Sequence, residues 1–563
     1  MTAELSAERD HSRTGLKSIH VVLLVIVVAM TNRGVWNADI PLGDEAERIR
    51  GAVNFFRQGT VSTNLFSDFY IGIFRYITED PIPAYYIVRT SVALISVIGL
   101  YGLLSSLTSV TATGAFIMSL FWNMSLELSP LVQQGNMQLF AFALAGISGY
   151  IWLSPHSNVK YLAIAVIIAT ILVRSEYVVP LFLFSMYKMI TSPVKLAGFK
   201  RYVKITLFSC GIMTFMLLFY CMFLNHDNGV YKGVRRIDKT VLSGFQQGYA
   251  FLAVRENPKL NIEPFTEYRF VFDEKFTGTT SFITAVLSNP VEAMRYIALN
   301  SVHNAKNILE VTEMHSVLAG RFAGNVSIET LNRLHRIEKY SFMLFILCSN
   351  FFVLMEKVLT CRRRRKFDVT DDAMVLFCIS LTTIIPMMIH VPFLRYYVAV
   401  IPLLFWAPAI LISRICQCSQ RCLLALSLAG SMVMCKPVFA LPHDYKGQDK
   451  FTVRQLRTLL PYRSEGYTVL GVYPDPLLIF IRIYGWQITN TLKGESLKDL
   501  VMSGKHDVVV IDDWLLKSGE FAANKVFYEK LIHNPRQVGH SLIFAGTCRG
   551  MPLYLFANNA KRL

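Results

Sequence analysis

Three carboxylates, Asp39, Asp44 and Glu45, follow closely on the first hydrophobic run of the chain. Carboxylates held beside an apolar segment are costly to desolvate, and proteins usually keep them there for proton or metal chemistry. Asp44 also precedes Glu47 by the spacing of a helix N-cap and its capping-box partner. The residues alone therefore leave two roles open, a chemical one and a helix cap.

The elements that must position these carboxylates are membrane helices. The chain has 563 residues, of which 53% are hydrophobic and 17% charged, and its mean hydropathy is +0.40. A soluble enzyme of this length would be far more polar. The formal charge of +17 does not indicate nucleic-acid binding, because the basic residues stand in short blocks between apolar runs. The composition predicts a polytopic α-helical membrane protein.

About eleven apolar runs are candidates for crossing a hydrocarbon core of about 30 Å, although several are short for that thickness. They lie near residues 18–32, 84–108, 111–129, 137–153, 159–173, 177–190, 205–225, 340–359, 373–392, 395–413 and 421–441. A cytoplasmic N-terminus places every dense basic block, such as 362–366, on the inner side. The segments 33–83 and 226–339 and the tail then lie outside.

The outer segments carry further elements. Residues 45–57 and the stretch after Pro290 have the apolar periodicity of helices lying in the membrane interface. From about residue 442 the composition becomes mixed, and runs near 467–473 and 506–514 predict buried strands, while 451–460 and 519–533 predict helices. We therefore expect a membrane module over 1–441 and a soluble α/β domain over 442–563.

Basic residues also stand at the predicted outer turns. They occur in His390-Val-Pro-Phe-Leu-Arg395-Tyr396, in Arg174-Ser-Glu176-Tyr and in Tyr231-Lys232-Gly-Val-Arg235-Arg236. A guanidinium at the interface can bind a phosphate through two directed donors. Each motif has a simpler explanation: Arg395 as a snorkelling anchor, Arg174 as a partner of Glu176, and the third motif as a solvated charged turn.

The sequence Pro41-Leu-Gly-Asp-Glu-Ala after the first span, together with the motif of Arg395 and Tyr396, resembles the GT-C glycosyltransferases. The likeness is greatest to the bacterial aminoarabinose-transferase and protein O-mannosyltransferase type. Two positions depart from that pattern. Ala46-Glu47-Arg48 stands where relatives commonly have a Tyr, and Gln134-Gly-Asn-Met-Gln138 stands where some carry an acid.

The resemblance implies a GT-C fold and inverting transfer of a sugar from a polyprenyl-phosphate donor to a lipid, glycan or protein acceptor. Such transfer needs a base for the acceptor hydroxyl and cations or a metal for the departing phosphate. Asp44 is then the base, with Glu45 as its alternate or positioning partner. The candidates for donor binding are Arg395, Arg174, Glu176, Tyr396, His390, Lys232, Arg235 and Arg236.

Several alternatives stay open at this stage. No metal site is evident from spacing, although Asp44 and Glu45 could hold a divalent ion with phosphate and water. A transporter or lipid flippase is the main competing class, but such proteins usually place ionisable groups within their spans and contain repeats. We expect a bacterial inner-membrane protein whose active site and C-terminal domain face the periplasm.

Overall fold

The computed structural model describes the following residues. They are 2–31, 73, 81–128, 136–154, 160–174, 177–191, 229–260, 268–308, 328–364, 370–389, 394–415, 427, 468–471, 487–490, 496–511, 513–516, 519–548 and 551–560.

Within these residues the chain is mostly helical up to residue 415. The helices are α1 Thr2–Thr31, α2 Pro81–Ser106, α3 Ala112–Leu128, α4 Asn136–Leu153, α5 Lys160–Val173, α6 Val178–Thr191, α7 Gly229–Glu256, α8 Tyr268–Lys275, α9 Phe282–Ser288, α10 Pro290–Ile308, α11 Ile328–Arg364, α12 Asp371–Ile389, a 3-10 helix Leu394–Val400 and α13 Ile401–Ile415.

The C-terminal part contains both strands and helices. In chain order they are β1 Thr468–Gly471, β2 Gln487–Asn490, α14 Leu497–Met502, β3 Val508–Ile511, α15 Asp513–Leu516, α16 Gly519–Ala523, α17 Lys525–His533, a 3-10 helix Pro535–Val538, β4 His540–Cys548 and β5 Met551–Asn558.

Several helices are apolar enough for the membrane. Among the described residues, three stretches are both long and apolar enough to cross it: Pro83–Ser106, Tyr340–Thr360 and Tyr397–Ile415. Leu16–Thr31, Met137–Leu153 and Leu162–Ile171 form shorter apolar helices. The predicted spans at 205–225 and, apart from Ser427, 421–441 lie outside the described residues.

The chain divides into two compact units. One consists of Met1–Arg33, Asn64–Phe66 and Arg89–Phe439, and the other of Gly34–Thr63, Ser67–Val88 and Ala440–Leu563. The first contains most of the membrane helices, and the second contains the sheet.

In the first unit, α2 and α4 touch along glycines and run in the same direction. A Cβ on Gly146 would lie 3.0 Å from the carbonyl carbon of Gly99, and one on Gly102 would lie 3.2 Å from the Tyr150 ring. Such close approach of backbones is typical of packing between membrane helices. Since residue numbers rise together along both helices, the N-terminal portions of α2 and α4 lie at one end of the bundle. We call it the Gln138 end.

Other contacts orient the neighbouring helices. At the far end, Asp372 near the start of α12 accepts hydrogen bonds from the backbone N–H and hydroxyl of Thr108, both at 2.7 Å. Gly149, late in α4, approaches Val375, early in α12. Helix α12 is therefore antiparallel to α4 and finishes at the Gln138 end.

Helix α1 also finishes at the Gln138 end. His20, early in the apolar part of α1, hydrogen-bonds to Tyr101, late in α2, at 3.2 Å. Asn123 of α3 donates to Thr31, the last residue of α1, at 3.0 Å. These contacts make α1 antiparallel to α2, so Thr31 lies at the Gln138 end.

Helices α7 to α10 form a compact aromatic cluster at the Gln138 end. Its buried core includes Phe245, Tyr249, Phe272, Phe276 and Tyr296, and Phe245 meets its aromatic neighbours edge to face. Such aromatic pairs each stabilise a core beyond the area that they bury. The cluster explains why this polar stretch of the chain folds into helices.

The predicted helix after Pro290 is confirmed as α10. Its predicted apolar side is exposed, with Val291, Met294 and Val302 at 79%, 62% and 57% exposure. The opposite side, which includes Ala293 and Tyr296, is buried in the aromatic cluster. An exposed apolar face on a helix of a membrane protein is the pattern of an interfacial helix, a role that stays a prediction.

One detail of the sequence-based interpretation is wrong. The alternative of a charged turn at residues 231–236 is excluded, because these residues lie in α7, whose later turns are fixed by the aromatic cluster. The eighth predicted span, 340–359, agrees with the apolar stretch Tyr340–Thr360, which lies within the longer helix α11 that starts at Ile328. Polar residues at 328–339 continue the helix past the apolar stretch that marks the span.

The second unit contains a five-stranded mixed sheet of order β2-β1-β3-β5-β4. Strand β1 pairs in parallel with β2 and β3, while β5 pairs antiparallel with β3 and β4. The predicted strands near 467–473 and 506–514 are confirmed in their centres, but the second is too long, since α15 begins at Asp513. Helices α16 and α17 confirm the prediction at 519–533, and 451–460 lies outside the described residues.

Candidate functional site

Arg174 and Gln138 meet at the Gln138 end of the bundle. Arg174 directly follows α5, and the antiparallel pairing of α4 with α5 returns it to the beginning of α4. In the amide orientation that satisfies both groups, Oε1 of Gln138 accepts from Nη1 and Nη2 of Arg174, each at 3.2 Å. Gln138 is buried and Arg174 is half-buried. A neutral amide thus orients this guanidinium and leaves its charge uncompensated by that contact.

The segment that carries Arg395 and Tyr396 lies at the same end. Both residues belong to the 3-10 helix Leu394–Val400, between the end of α12 and the start of α13. This 3-10 helix contacts α4, α10, α12 and α13. Since α4 is antiparallel to α12, the 3-10 helix lies toward the N-terminal portion of α4, where Gln138 stands.

Two side chains of α10 hold the end of α12 that leads into this 3-10 helix. The Tyr296 hydroxyl donates to the carbonyl of Ile389 at 2.9 Å, and the Asn300 amide donates to that of Met388 at 3.2 Å. The last carbonyls of a helix lack partners within the helix, so such donors satisfy them. Gly248 of α7 leaves room for this contact, because a Cβ there would overlap the Tyr296 hydroxyl. The aromatic cluster therefore fixes the residues just before His390.

A charged network reinforces the aromatic cluster. Arg295 bonds both oxygens of Glu256 at 2.7 and 2.8 Å and Glu292 at 2.8 Å, and Tyr249 donates to Glu292 at 2.9 Å. The bond to Glu256 raises the pKa of Arg295. Burial, followed by the bond to Glu292, raises the pKa of Tyr249. Tyr249 thus stays a protonated donor, and the network links α7 to α10.

Arg89 is a cation that the sequence-based search missed. It lies in α2 at only 2% exposure, and its buried Nε and Nη1 atoms make no hydrogen bond. Arg89 lies about three turns before Gly99 in α2, and Gly99 packs against Ala143 and Gly146 of α4. Along the bundle, Arg89 is therefore about one turn farther than Gln138 toward the Gln138 end. The available signal was a single Arg within an otherwise apolar run, a placement that usually marks function.

The other predicted site residues divide into two groups. The first turns of α7 contain Lys232, Arg235 and Arg236. The residues of α7 that pack in the aromatic cluster begin later, at Leu242. Asp44, Glu45, Glu176 and His390 lie outside the described residues. The structure therefore brings together Arg174, Gln138 and the segment of Arg395, and it adds Arg89 to the same end.

In the part of the chain that the structure describes, no group of three or more His, Cys, Asp or Glu side chains could hold a metal ion. The pair Asp44 and Glu45 lies outside that part.

These features define a multi-pass α-helical membrane protein with a small C-terminal sheet domain. No protein-family model matches the chain, and no curated protein does. Among solved structures it is similar to ArnT from Cupriavidus metallidurans in the apo state, with a TM-score of 0.38 and 9% identity over 96% of this chain and 98% of that chain. The same protein bound to undecaprenyl phosphate gives a TM-score of 0.36 and 10% identity over 95% and 97%.

Proposed function

We propose that this protein is an inverting glycosyltransferase that moves a sugar from a polyprenyl-phosphate donor to an acceptor at the outer face of the membrane. One observation carries the proposal: Arg174, held by Gln138, lies at the same end of a membrane bundle as the segment of Arg395. Cations at the end of a set of apolar helices suit a ligand with a lipid tail and an anionic head.

The resemblance in the sequence supplies the remaining parts. The carboxylates Asp44 and Glu45 follow the first hydrophobic run in the sequence, and their role is taken from the resemblance. In the proposed reaction the acceptor hydroxyl attacks the anomeric carbon and its proton passes to Asp44. The bond from that carbon to the phosphate oxygen breaks, and Arg395 and Arg174 stabilise the departing phosphate.

Location follows from the same topology. With the N-terminus in the cytoplasm, the Gln138 end faces outward, which for a bacterial inner membrane is the periplasm. We propose a membrane module over 1–441 and a periplasmic domain over 442–563.

The proposal is tested with purified protein and a panel of polyprenyl-phosphate sugars. Release of free polyprenyl phosphate should depend on one donor and on an acceptor, and it should fall in Arg395→Lys, since an ammonium lacks the planar fork of donors. Arg255→Lys, an exposed change on α7, is the matched control. Absence of release with every donor, combined with substrate flux in liposomes, would establish a transporter instead.

A further inference from the structure

We infer that Arg89 is a phosphate-binding residue inside the helix bundle, and that it takes the phosphate ester of a lipid. The inference rests on the proposed function for the identity of that lipid. Arg89 is outside the set of residues that the sequence predicts for the site.

Arg89 is a buried arginine with unsatisfied donors. An arginine side chain stays charged in proteins, and a buried charge requires a partner of opposite sign. Nε and Nη1 of Arg89 are buried and make no hydrogen bond. Two of the three guanidinium nitrogens therefore have unused donors.

Three described carboxylates of the first unit are bound to groups other than Arg89. Asp372 accepts from Thr108 at the far end, and Glu356 pairs with Arg414 at 2.8 Å. Glu292 belongs to the network of the aromatic cluster. An anionic ligand would satisfy the unused donors of Arg89.

The position of Arg89 bears on the source of the anion. At 2% exposure, Arg89 lies inside the apolar helices rather than on the surface of the bundle. Side chains on a helix lean toward its N-terminus, and the N-terminal portion of α2 belongs to the Gln138 end, where Arg174 and the segment of Arg395 lie. A lipid phosphate whose tail stays among the apolar helices satisfies both conditions, and its oxygens match a guanidinium.

The experiment measures lipid binding by the full-length protein in detergent, using native mass spectrometry and thermal unfolding. The probes are undecaprenyl phosphate, phosphatidylglycerol and, as the neutral comparison, phosphatidylcholine. The variants are Arg89→Met, Arg89→Lys and the matched control Arg255→Met, which removes an exposed arginine from α7. We expect the wild type and Arg255→Met to bind undecaprenyl phosphate equally and Arg89→Met to bind at least tenfold more weakly.

Arg89→Lys separates charge from geometry and guards against a folding defect in Arg89→Met. It should fold and bind undecaprenyl phosphate several-fold more weakly, because lysine keeps the charge without the planar fork. If Arg89→Met folds, wild-type affinity in that variant would overturn the inference. If Arg89→Met does not fold, wild-type affinity in Arg89→Lys would overturn it. Arg89-dependent binding of phosphatidylglycerol alone would support a phosphate site that serves a membrane lipid rather than the sugar donor.

The outcomes also separate this inference from the proposed function. Arg89-dependent phosphate binding without sugar transfer from any donor would keep the site and reject the glycosyltransferase. Sugar transfer with lipid binding that is independent of Arg89 would keep the function and reject the site.

Discussion

Arg174 shows how a single contact can prepare a cation for a ligand. Its two terminal nitrogens share the Gln138 oxygen at 3.2 Å each. An amide fixes the direction of the guanidinium without neutralising it, whereas a carboxylate would do both. The contact thus fixes the direction of the Arg174 guanidinium at the Gln138 end.

Replacing Arg174 with Lys tests this role. The substitution keeps the charge but loses the planar fork, and hydrogen bonds to charged groups contribute about 1.5 to 3 kcal/mol. We expect kcat/KM for the lipid-linked donor to fall about tenfold or more, measured as release of polyprenyl phosphate. Arg255→Lys on the exposed surface of α7 should match the wild type. Equal rates in the two variants would exclude Arg174 from donor binding.

The sequence identified Arg174 but neither of its neighbours in space. Arg174 stands in a polar turn between apolar runs, which is visible in one dimension, whereas its contact with Gln138 depends on how α4 pairs with α5. Arg89 lies within a run that is apolar apart from it. Its burial depends on neighbouring helices, so the sequence shows the arginine without showing that it lacks a partner.

At the scale of elements, the aromatic cluster of α7 to α10 positions the end of α12. Tyr296 is fully buried and donates to the Ile389 carbonyl at 2.9 Å. The residues just beyond Ile389 lead to Arg395. The contact therefore couples a helical cluster outside the spans to a segment that the proposed reaction uses.

Tyr296→Phe removes that hydrogen bond while it keeps the ring. Leaving the Ile389 carbonyl unsatisfied should lower the free energy of unfolding by about 1 to 3 kcal/mol, seen as a lower Tm in detergent. Activity should fall as well, because the end of α12 loses a fixed point. Tyr340→Phe, on an exposed tyrosine of α11, is the control, and an unchanged Tm in Tyr296→Phe would contradict the positioning role.

The crossing of α2 and α4 depends on glycine. A Cβ on Gly99 would lie 2.7 Å from the carbonyl oxygen of Ala143, so a larger side chain must separate the helices. We expect Gly99→Leu to destabilise the protein by several kcal/mol, as overpacking and lost contacts combine. Ala165→Leu, on an exposed face of α5, adds the same bulk. Equal yields of monodisperse protein for both variants would show that the crossing tolerates separation.

The helices were predictable where hydrophobic length alone determines them. Apolar runs near 84–108, 111–129 and 137–153 correspond closely to α2, α3 and α4, because a membrane helix needs about 20 apolar residues. The start of α11 and the helical state of residues 231–236 were not predicted. Both belong to polar stretches that extend helices whose packed or apolar parts lie further along the chain, from Leu242 in α7 and over Tyr340–Thr360 in α11.

At the scale of the whole molecule, the central feature is which end of the bundle faces outward. The account places the Gln138 end outside and the end of Thr108 and Asp372 inside. In a background without native cysteines, Lys259→Cys in the loop after α7 should react with a membrane-impermeant maleimide in intact spheroplasts. Thr370→Cys, just before α12, should react only after permeabilisation. Both residues are exposed, and the reverse pattern would invert the topology and move the proposed site to the cytoplasm.

The most direct measurement of the central claim is sugar transfer by the wild type and Asp44→Asn. Each protein is supplied with a panel of polyprenyl-phosphate sugars, and release of polyprenyl phosphate is followed, with the exposed Asp273→Asn as control. The account predicts donor-dependent release by the wild type and the control, and a rate lower by roughly 10² to 10⁴ in Asp44→Asn, the usual contribution of a general base. Full activity in Asp44→Asn would exclude Asp44 as the base, and no release by the wild type with any donor would contradict the glycosyltransferase itself.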